Sequence, residues 1–153
     1  MSDTERLYNN IGVQALAIFL VVQHTQILPL SKALLVSPII THNEMLKYLS
    51  NGNVKIQGVE KLIIEKTSFF ANFNNRFYDQ LCSSINAIQL LHELDAIILN
   101  KDVLMNKGDS EQLFKTGKEA GNRAFKIQKA VPNIAKIMES SAENLYLNLR
   151  VEL

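Results

Sequence analysis

The chain has 153 residues, 47% of them hydrophobic and 20% charged, a composition typical of a globular protein rather than a disordered one. Sixteen basic and fifteen acidic residues give a net charge of +1, which excludes a generally basic nucleic-acid coat protein and an acidic tail protein. A single cysteine, Cys82, excludes a disulfide framework and a cysteine-based zinc site.

The first predicted element is a long helix. Ser2 and Glu5 have the spacing of a capping box, which predicts a helix from there to about His24, with a possible restart at 9–12. Its apolar part, 11–22, is shorter than the roughly 20 residues that span a bilayer, and the acidic start is untypical of a signal peptide. We therefore expect a helix buried on nearly all sides, in a cytoplasmic protein.

Two prolines frame the next segment. Pro29 and Pro38 bracket an apolar run over 30–37 that is either a short helix or extended, and Pro38 is expected to end it. A second capping box at 41–44 predicts a helix that continues through Leu49.

The clearest periodicity follows a short helix predicted at 59–66. Apolar residues recur at spacings of three and four, so they share one helical face and predict an amphipathic helix over 72–94. These residues are Phe70, Phe73, Phe77, Leu81, Ile85, Ile88 and Leu91.

Two β-prone runs, 96–99 and 103–105, flank a short polar turn and predict a small hairpin. Pro132 is expected to break the helical region that comes after it. That region is predicted to form three helices, at about 111–130, 133–140 and 142–151.

The order of these elements predicts a fold class. Two short helices, a long helix and a hairpin match a winged-helix-like core at about 41–106, with the wing at 96–105 and flanking helices at 1–40 and 111–153. We predict a mainly α protein that forms a single domain over 1–153. The alternative is an irregular α bundle with an incidental hairpin.

A search for chemistry finds no recognisable site. The three histidines fall in different predicted elements, and there is no zinc, calcium, nucleotide-binding or serine-hydrolase motif. Cys82 has no neighbouring base and is interpreted as a small core residue. We predict a protein that is not an enzyme and has no catalytic residue, metal or cofactor.

The charge is unevenly distributed. Residues 1–100 have a net charge of −1, residues 101–136 of +4, and residues 137–153 of −2. The basic segment predicts weak, sequence-independent contact with DNA or an acidic surface, and a simply solvated face is the alternative. The candidate contact residues are Lys101 at the wing tip and Lys115, Lys118, Lys126 and Lys129 on one helical face.

Three segments look too apolar for a free surface, namely 11–22, 33–40 and 145–153. Apolar surface left outside a core marks an interface, although the three segments could instead pack together. The candidate partner-binding residues are Leu145, Leu147, Leu149 and Val151.

The same segments carry a family resemblance. The chain resembles the middle components of bacterial ABC-three-component conflict systems, a group that includes the small subunit of the Lamassu defence system. Ser37 stands where an apolar residue is expected, and 101–130 does not align. The resemblance lies in Tyr8–Gly12, Leu28–Leu30, Leu34–His42, Asn72–Phe77, Asn86–Leu91 and Leu149–Val151.

The resemblance implies a non-catalytic accessory subunit. Its partners would be an SMC-like ABC ATPase and an effector nuclease of an anti-phage or anti-plasmid system, with DNA contact only within the complex and no membrane. The alternative is a stand-alone winged-helix regulator that binds DNA as a homodimer. For that role the long helix offers Asn75, Gln80, Asn86 and Gln89 but a single base, Arg76.

Overall fold

The computed structural model describes residues 2–108 and 121–153; within 3–25 it describes the side chains from Asn10 onward. These residues are mainly helical, as predicted, with one small antiparallel sheet. The helices are α1 Asp3–Thr25, α2 Leu30–Ile40, α3 Asn43–Leu49, α4 Val59–Glu65, α5 Phe73–Glu93, α6 Asn122–Ile137 and α7 Ala142–Asn148, and a 3-10 turn spans Thr67–Phe70. The strands are β1 Ile27–Pro29, β2 Ile97–Asn100 and β3 Val103–Asn106.

The centre of the fold is α1. Its residues 14–19 are buried, and the helix packs against α2, α5 and α6. The predicted long helix is confirmed, and it runs through 9–12 without a restart. Because 33–40 of α2 is buried as well, except for the half-buried Leu34, two of the three strongly apolar segments lie mainly in the core of the chain itself.

The predicted hairpin is confirmed, but it belongs to a three-stranded sheet of order β1-β3-β2. Leu28 pairs with Leu104, and Leu104 pairs with Leu99 in turn, which places these three side chains on the inner face. The amide of Leu30 donates to the carbonyl of Asp102 at 2.7 Å, so the hairpin turn is fixed to the start of α2.

Both proline predictions are wrong. Pro38 lies inside α2 and Pro132 lies inside α6, and the helices continue to Ile40 and Ile137 respectively. Proline removes one helical hydrogen bond, but burial of most of α2 and of one face of α6 stabilises both helices despite that loss. Local propensity is overridden by tertiary packing at both positions.

The winged-helix arrangement is not confirmed. In a helix-turn-helix core the three helices pack on one another, whereas here α5 packs mainly against α1 and α2. The short helices α3 and α4 have other neighbours: α3 lies against α6 and α2, and α4 lies against α7 and the 3-10 turn.

Three polar side chains hold irregular backbone in place. Asn133 on α6 donates to the carbonyls of Leu49 and Val54, at 2.9 and 3.0 Å, and accepts from the amide of Ile56 at 3.1 Å. His42 caps α3, with Nδ1 accepting from the Met45 amide at 3.1 Å. Each bond satisfies backbone groups that no helix or strand partner reaches.

The third of these side chains is Arg76. Its guanidinium donates to the carbonyls of Pro38, Ala71 and Phe69 at 3.2, 2.9 and 2.8 Å. It therefore joins α2, α5 and the 3-10 turn, and partial burial lowers the pKa of Arg76 from its usual value.

Candidate functional site

An apolar groove opens between α2, α5 and α7, next to the hairpin turn. Its larger part has a volume of about 730 Å³ and is bounded at one end by residues 151–153. The lining is formed by Leu30, Ser31, Leu34, Phe77, Tyr78, Leu81, Asp102, Ala142, Glu143, Tyr146, Leu147, Val151 and Leu153. The groove is thus built almost entirely from aliphatic and aromatic side chains.

The groove extends along α5 into a second part of about 320 Å³. Both parts share Leu30 and Leu34, so they adjoin each other along α5. From Phe77 to His92 it follows α5 for about 22 Å, given the helical rise per residue. The second part is completed by Ile85, Ile88, Gln89, His92 and Leu99.

Several groove side chains face solvent to a degree that is unusual for their type. Tyr78 is 45% exposed, Ile85 49% and Leu147 71%. Scattered apolar residues are normal on protein surfaces, but a contiguous apolar depression marks a site of interaction.

Hydrogen bonds fix the aromatic walls of the groove. The Tyr146 hydroxyl donates to the Ser31 carbonyl at 2.7 Å, and the Tyr78 hydroxyl donates to the Glu152 carbonyl. The ring of Phe77 packs edge to face on Tyr146, with centroids 5.7 Å apart. The phenol groups are therefore satisfied by backbone, which leaves the ring surfaces to shape the groove.

Burial raises the pKa of Tyr146 to about 12, and the neighbouring Tyr78 adds to this shift. The phenol is consequently neutral at ordinary pH and acts as a hydrogen-bond donor to Ser31. Two carboxylates, Asp102 and Glu143, supply the charge in the larger part of the groove.

The four predicted partner-binding residues separate into two pairs. Leu147 and Val151 line the groove, whereas Leu145 and Leu149 are 0% and 2% exposed and pack inside the chain. On a helix of period 3.6, residues two apart point to different sides, so 145 and 149 share the core side and 147 does not. In this conformation Leu145 and Leu149 offer no surface to a partner.

The predicted basic stripe is only partly described. Lys115 and Lys118 lie outside the described residues. Lys126 and Lys129 are exposed on α6, which packs against α1 and α3, and Lys101 is exposed in the hairpin turn between β2 and β3. These three lysines thus lie on different elements, and their contact with DNA or an acidic surface stays a prediction.

Several of the polar residues predicted to contact DNA bases form hydrogen bonds within the chain instead. Arg76 binds three backbone carbonyls, as described above, and Gln80 accepts a hydrogen bond from Gln14 at 2.5 Å. Gln89 donates to Glu93 at 3.1 Å. Cys82 is exposed, so the interpretation as a core residue is wrong.

Most of the groove was not predicted from the sequence. The periodicity puts Leu81 and Ile85 on the core face of α5, but Leu81 is only half-buried and Ile85 is exposed, whereas Ser84 and Ala87 are buried. The available signal was the width of the apolar face, which is broader than one buried stripe requires. Leu30 and Leu34 give no such signal, because apolar residues occur on every side of α2 and define no single face.

Neither a membrane-spanning helix nor a cluster of three or more metal-binding side chains occurs in the ranges 2–108 and 121–153. The fold and the groove define a class: a mainly helical protein with a small sheet and a preformed apolar groove.

The chain belongs to the family of middle component 3 of ABC-three-component systems, whose model matches residues 13–153. The predicted family is therefore confirmed, although the quoted motif at 8–12 precedes the matched range. No significant match was found among curated proteins or among solved structures. A middle component of a multi-component system implies partner proteins.

Proposed function

We propose that this chain is a non-catalytic accessory subunit of an anti-phage or anti-plasmid defence complex. It links an SMC-like ABC ATPase to an effector nuclease, in the manner of the Lamassu small subunit. Membership of a middle-component family supports a role as one protein among several.

The apolar groove is the observation that carries this proposal. Exposed Leu147 and Ile85, the half-exposed ring of Tyr78, and Leu30 and Leu34 of α2 line the two adjoining parts of the groove, which follow α5 for about 22 Å. Covering such a surface with a partner removes apolar area from water, and this is the main favourable term in protein association. The groove is therefore assigned to a partner subunit.

The mechanism is mechanical rather than chemical. Movement of the ATPase, driven by ATP or DNA, changes the contacts that this subunit makes and so assembles or releases the effector. Exposed Lys101, Lys126 and Lys129 would contact DNA or an acidic surface within the assembled complex, where contacts that are weak alone become effective.

Co-expression tests the proposal. The full chain, carrying an affinity tag, is expressed together with the products of the neighbouring genes, and the purified material is analysed by mass spectrometry. We expect a coiled-coil ATPase and a nuclease to co-purify with the chain. A chain that purifies alone and binds DNA with sequence preference would instead indicate a stand-alone regulator.

A further inference from the structure

The charged side chains that line the groove are both acidic. Asp102, in the hairpin turn, and Glu143, in the first turn of α7, line its larger part, and both carboxylates are exposed at the rim. Neither Lys nor Arg lines either part of the groove within the described ranges. The smaller part is apolar, with Gln89 and His92 as its polar lining residues.

The walls of the groove dictate the secondary structure of an occupant. They are formed mainly by side chains of α2, α5 and α7, whose backbone groups are already bonded within each helix. β2 is an edge strand of the sheet but contributes only Leu99 to the lining, so most of the groove offers an extended peptide no strand to pair with. A segment whose own backbone is satisfied, namely a helix, therefore fits the site.

The length of the groove fits such an occupant. About 22 Å accommodates roughly four turns of helix, enough for three or four apolar anchors at spacings of three and four residues. Along this length, Leu30 and Leu34 line the groove from α2, and Leu81 and Ile85 line it from α5.

We propose that the groove receives an amphipathic helix of a partner protein, whose apolar face contacts α2 and α5 and whose flanking Lys or Arg side chains pair with Asp102 and Glu143. The inference rests on the proposed function and adds the chemistry of the docked segment. Because both carboxylates are rim-exposed, they select a basic helix and speed its encounter, and salt weakens their effect. The apolar end of the groove, near His92, holds the end of the partner helix that carries no basic flank.

Two designed peptides of about 15 residues serve as probes. They share one leucine face, and their flanks carry lysine in one peptide and glutamate in the other. Binding to the full-length chain is measured by fluorescence anisotropy at low and high salt. We expect the lysine peptide to bind about fivefold tighter than the glutamate peptide at low salt, and the difference to shrink as salt is added.

Charge reversal provides the decisive comparison. Asp102→Lys combined with Glu143→Lys should remove or invert the preference, whereas the matched pair Glu44→Lys and Glu65→Lys, exposed on α3 and α4, should retain it. Equal binding of the two peptides, no binding, or loss of preference in the matched pair as well would overturn the proposal. A homodimer in sedimentation that Leu147→Lys dissociates would also overturn it, because a second copy then fills the groove.

The co-expression experiment separates the two proposals. If the chain that carries both Asp102→Lys and Glu143→Lys recovers the ATPase and nuclease as well as wild type does, the basic-helix inference fails while the accessory role stands. If the wild-type chain recovers neither partner, the accessory role fails whatever the peptides show.

Discussion

The hydroxyl of Tyr146 on α7 donates a hydrogen bond to the carbonyl of Ser31 on α2 at 2.7 Å, across 115 positions of sequence. This bond joins the two helices that face each other over the larger part of the groove. The shape of the groove therefore depends on a polar contact beneath it, as well as on its apolar lining.

Tyr146→Phe should keep the ring and remove the bond. We expect a loss of about 1 kcal/mol in the free energy of unfolding at neutral pH, measured by urea denaturation, because the Ser31 carbonyl loses its donor. Thermal unfolding should agree in direction. No change in stability would mean that the hydroxyl contributes nothing to the packing of α7 on α2.

The same tyrosine predicts a pH dependence. The pKa of Tyr146 is raised from 10.0 to about 12, so the folded state retains a proton that the unfolded state loses. Its contribution to stability is complete below pH 10 and is lost as the pH rises toward 12. Wild type should therefore lose stability more steeply than Tyr146→Phe in this range, and parallel curves would contradict the prediction.

Leu145 and Leu147 provide a paired test of the two sides of α7. Leu145→Ala should cost about 2–5 kcal/mol, because its side chain is fully buried. Leu147→Ala should change stability by less than about 0.5 kcal/mol, because that side chain is largely exposed. Similar costs for both variants, measured by chemical denaturation, would contradict the placement of α7.

Asn133→Ala should be among the most costly polar substitutions. It removes three hydrogen bonds to the backbone between Leu49 and Ile56, and we expect a loss of about 1–3 kcal/mol. Asn86→Ala is the matched control, because Asn86 is exposed in the middle of α5 and alanine favours a helix. Equal effects of the two variants on thermal unfolding would show that the hydrogen bonds of Asn133 do not stabilise the fold.

His42 predicts a loss of stability in mild acid. Burial lowers the pKa of His42 below its usual 6.5, and the positive charge of Arg76 adds to this, against a smaller opposite effect of Glu44. The cap needs an unprotonated Nδ1 to accept from Met45, so the contribution of His42 is present above about pH 6.5 and falls as the pH decreases.

His42→Asn tests this cap, because asparagine accepts the same bond without titrating. Between about pH 7.5 and 5.5 the melting temperature of the variant should fall less than that of wild type. A variant that retains the full wild-type pH dependence would show that other groups cause it.

The local elements of this fold were predictable from the sequence because their signals are local. The periodicity of α5, the polar turn of the hairpin and the spacing of the α1 cap all lie within a few residues of the structure that they predict. β1 carries no comparable signal, because three residues form a strand only by pairing with β3, almost 80 positions away. The predictions of a break at Pro38 and Pro132 were wrong for the same reason, because packing against residues distant in sequence stabilises both helices.

The groove was harder to predict than the elements that build it. Apolar residues at 145–153 indicated an interface, but the sequence did not distinguish Leu147, which faces the groove, from Leu145, which faces the core. Likewise, Leu81 and Ile85 follow the same helical periodicity as the buried residues of α5, and they differ from most of them in lining the groove. That difference is a property of the assembled fold.

The central claim is that the groove binds a partner subunit, and one measurement tests it most directly. Wild type, Ile85→Lys combined with Leu147→Lys, and the control Ile64→Lys are each co-expressed with the neighbouring gene products and purified by a tag. Ile64 is 79% exposed on α4, outside the groove, so it matches the others in type and exposure. We expect wild type and Ile64→Lys to recover the ATPase or nuclease, and the folded groove variant to lose it. Undiminished recovery by the groove variant would contradict the claim.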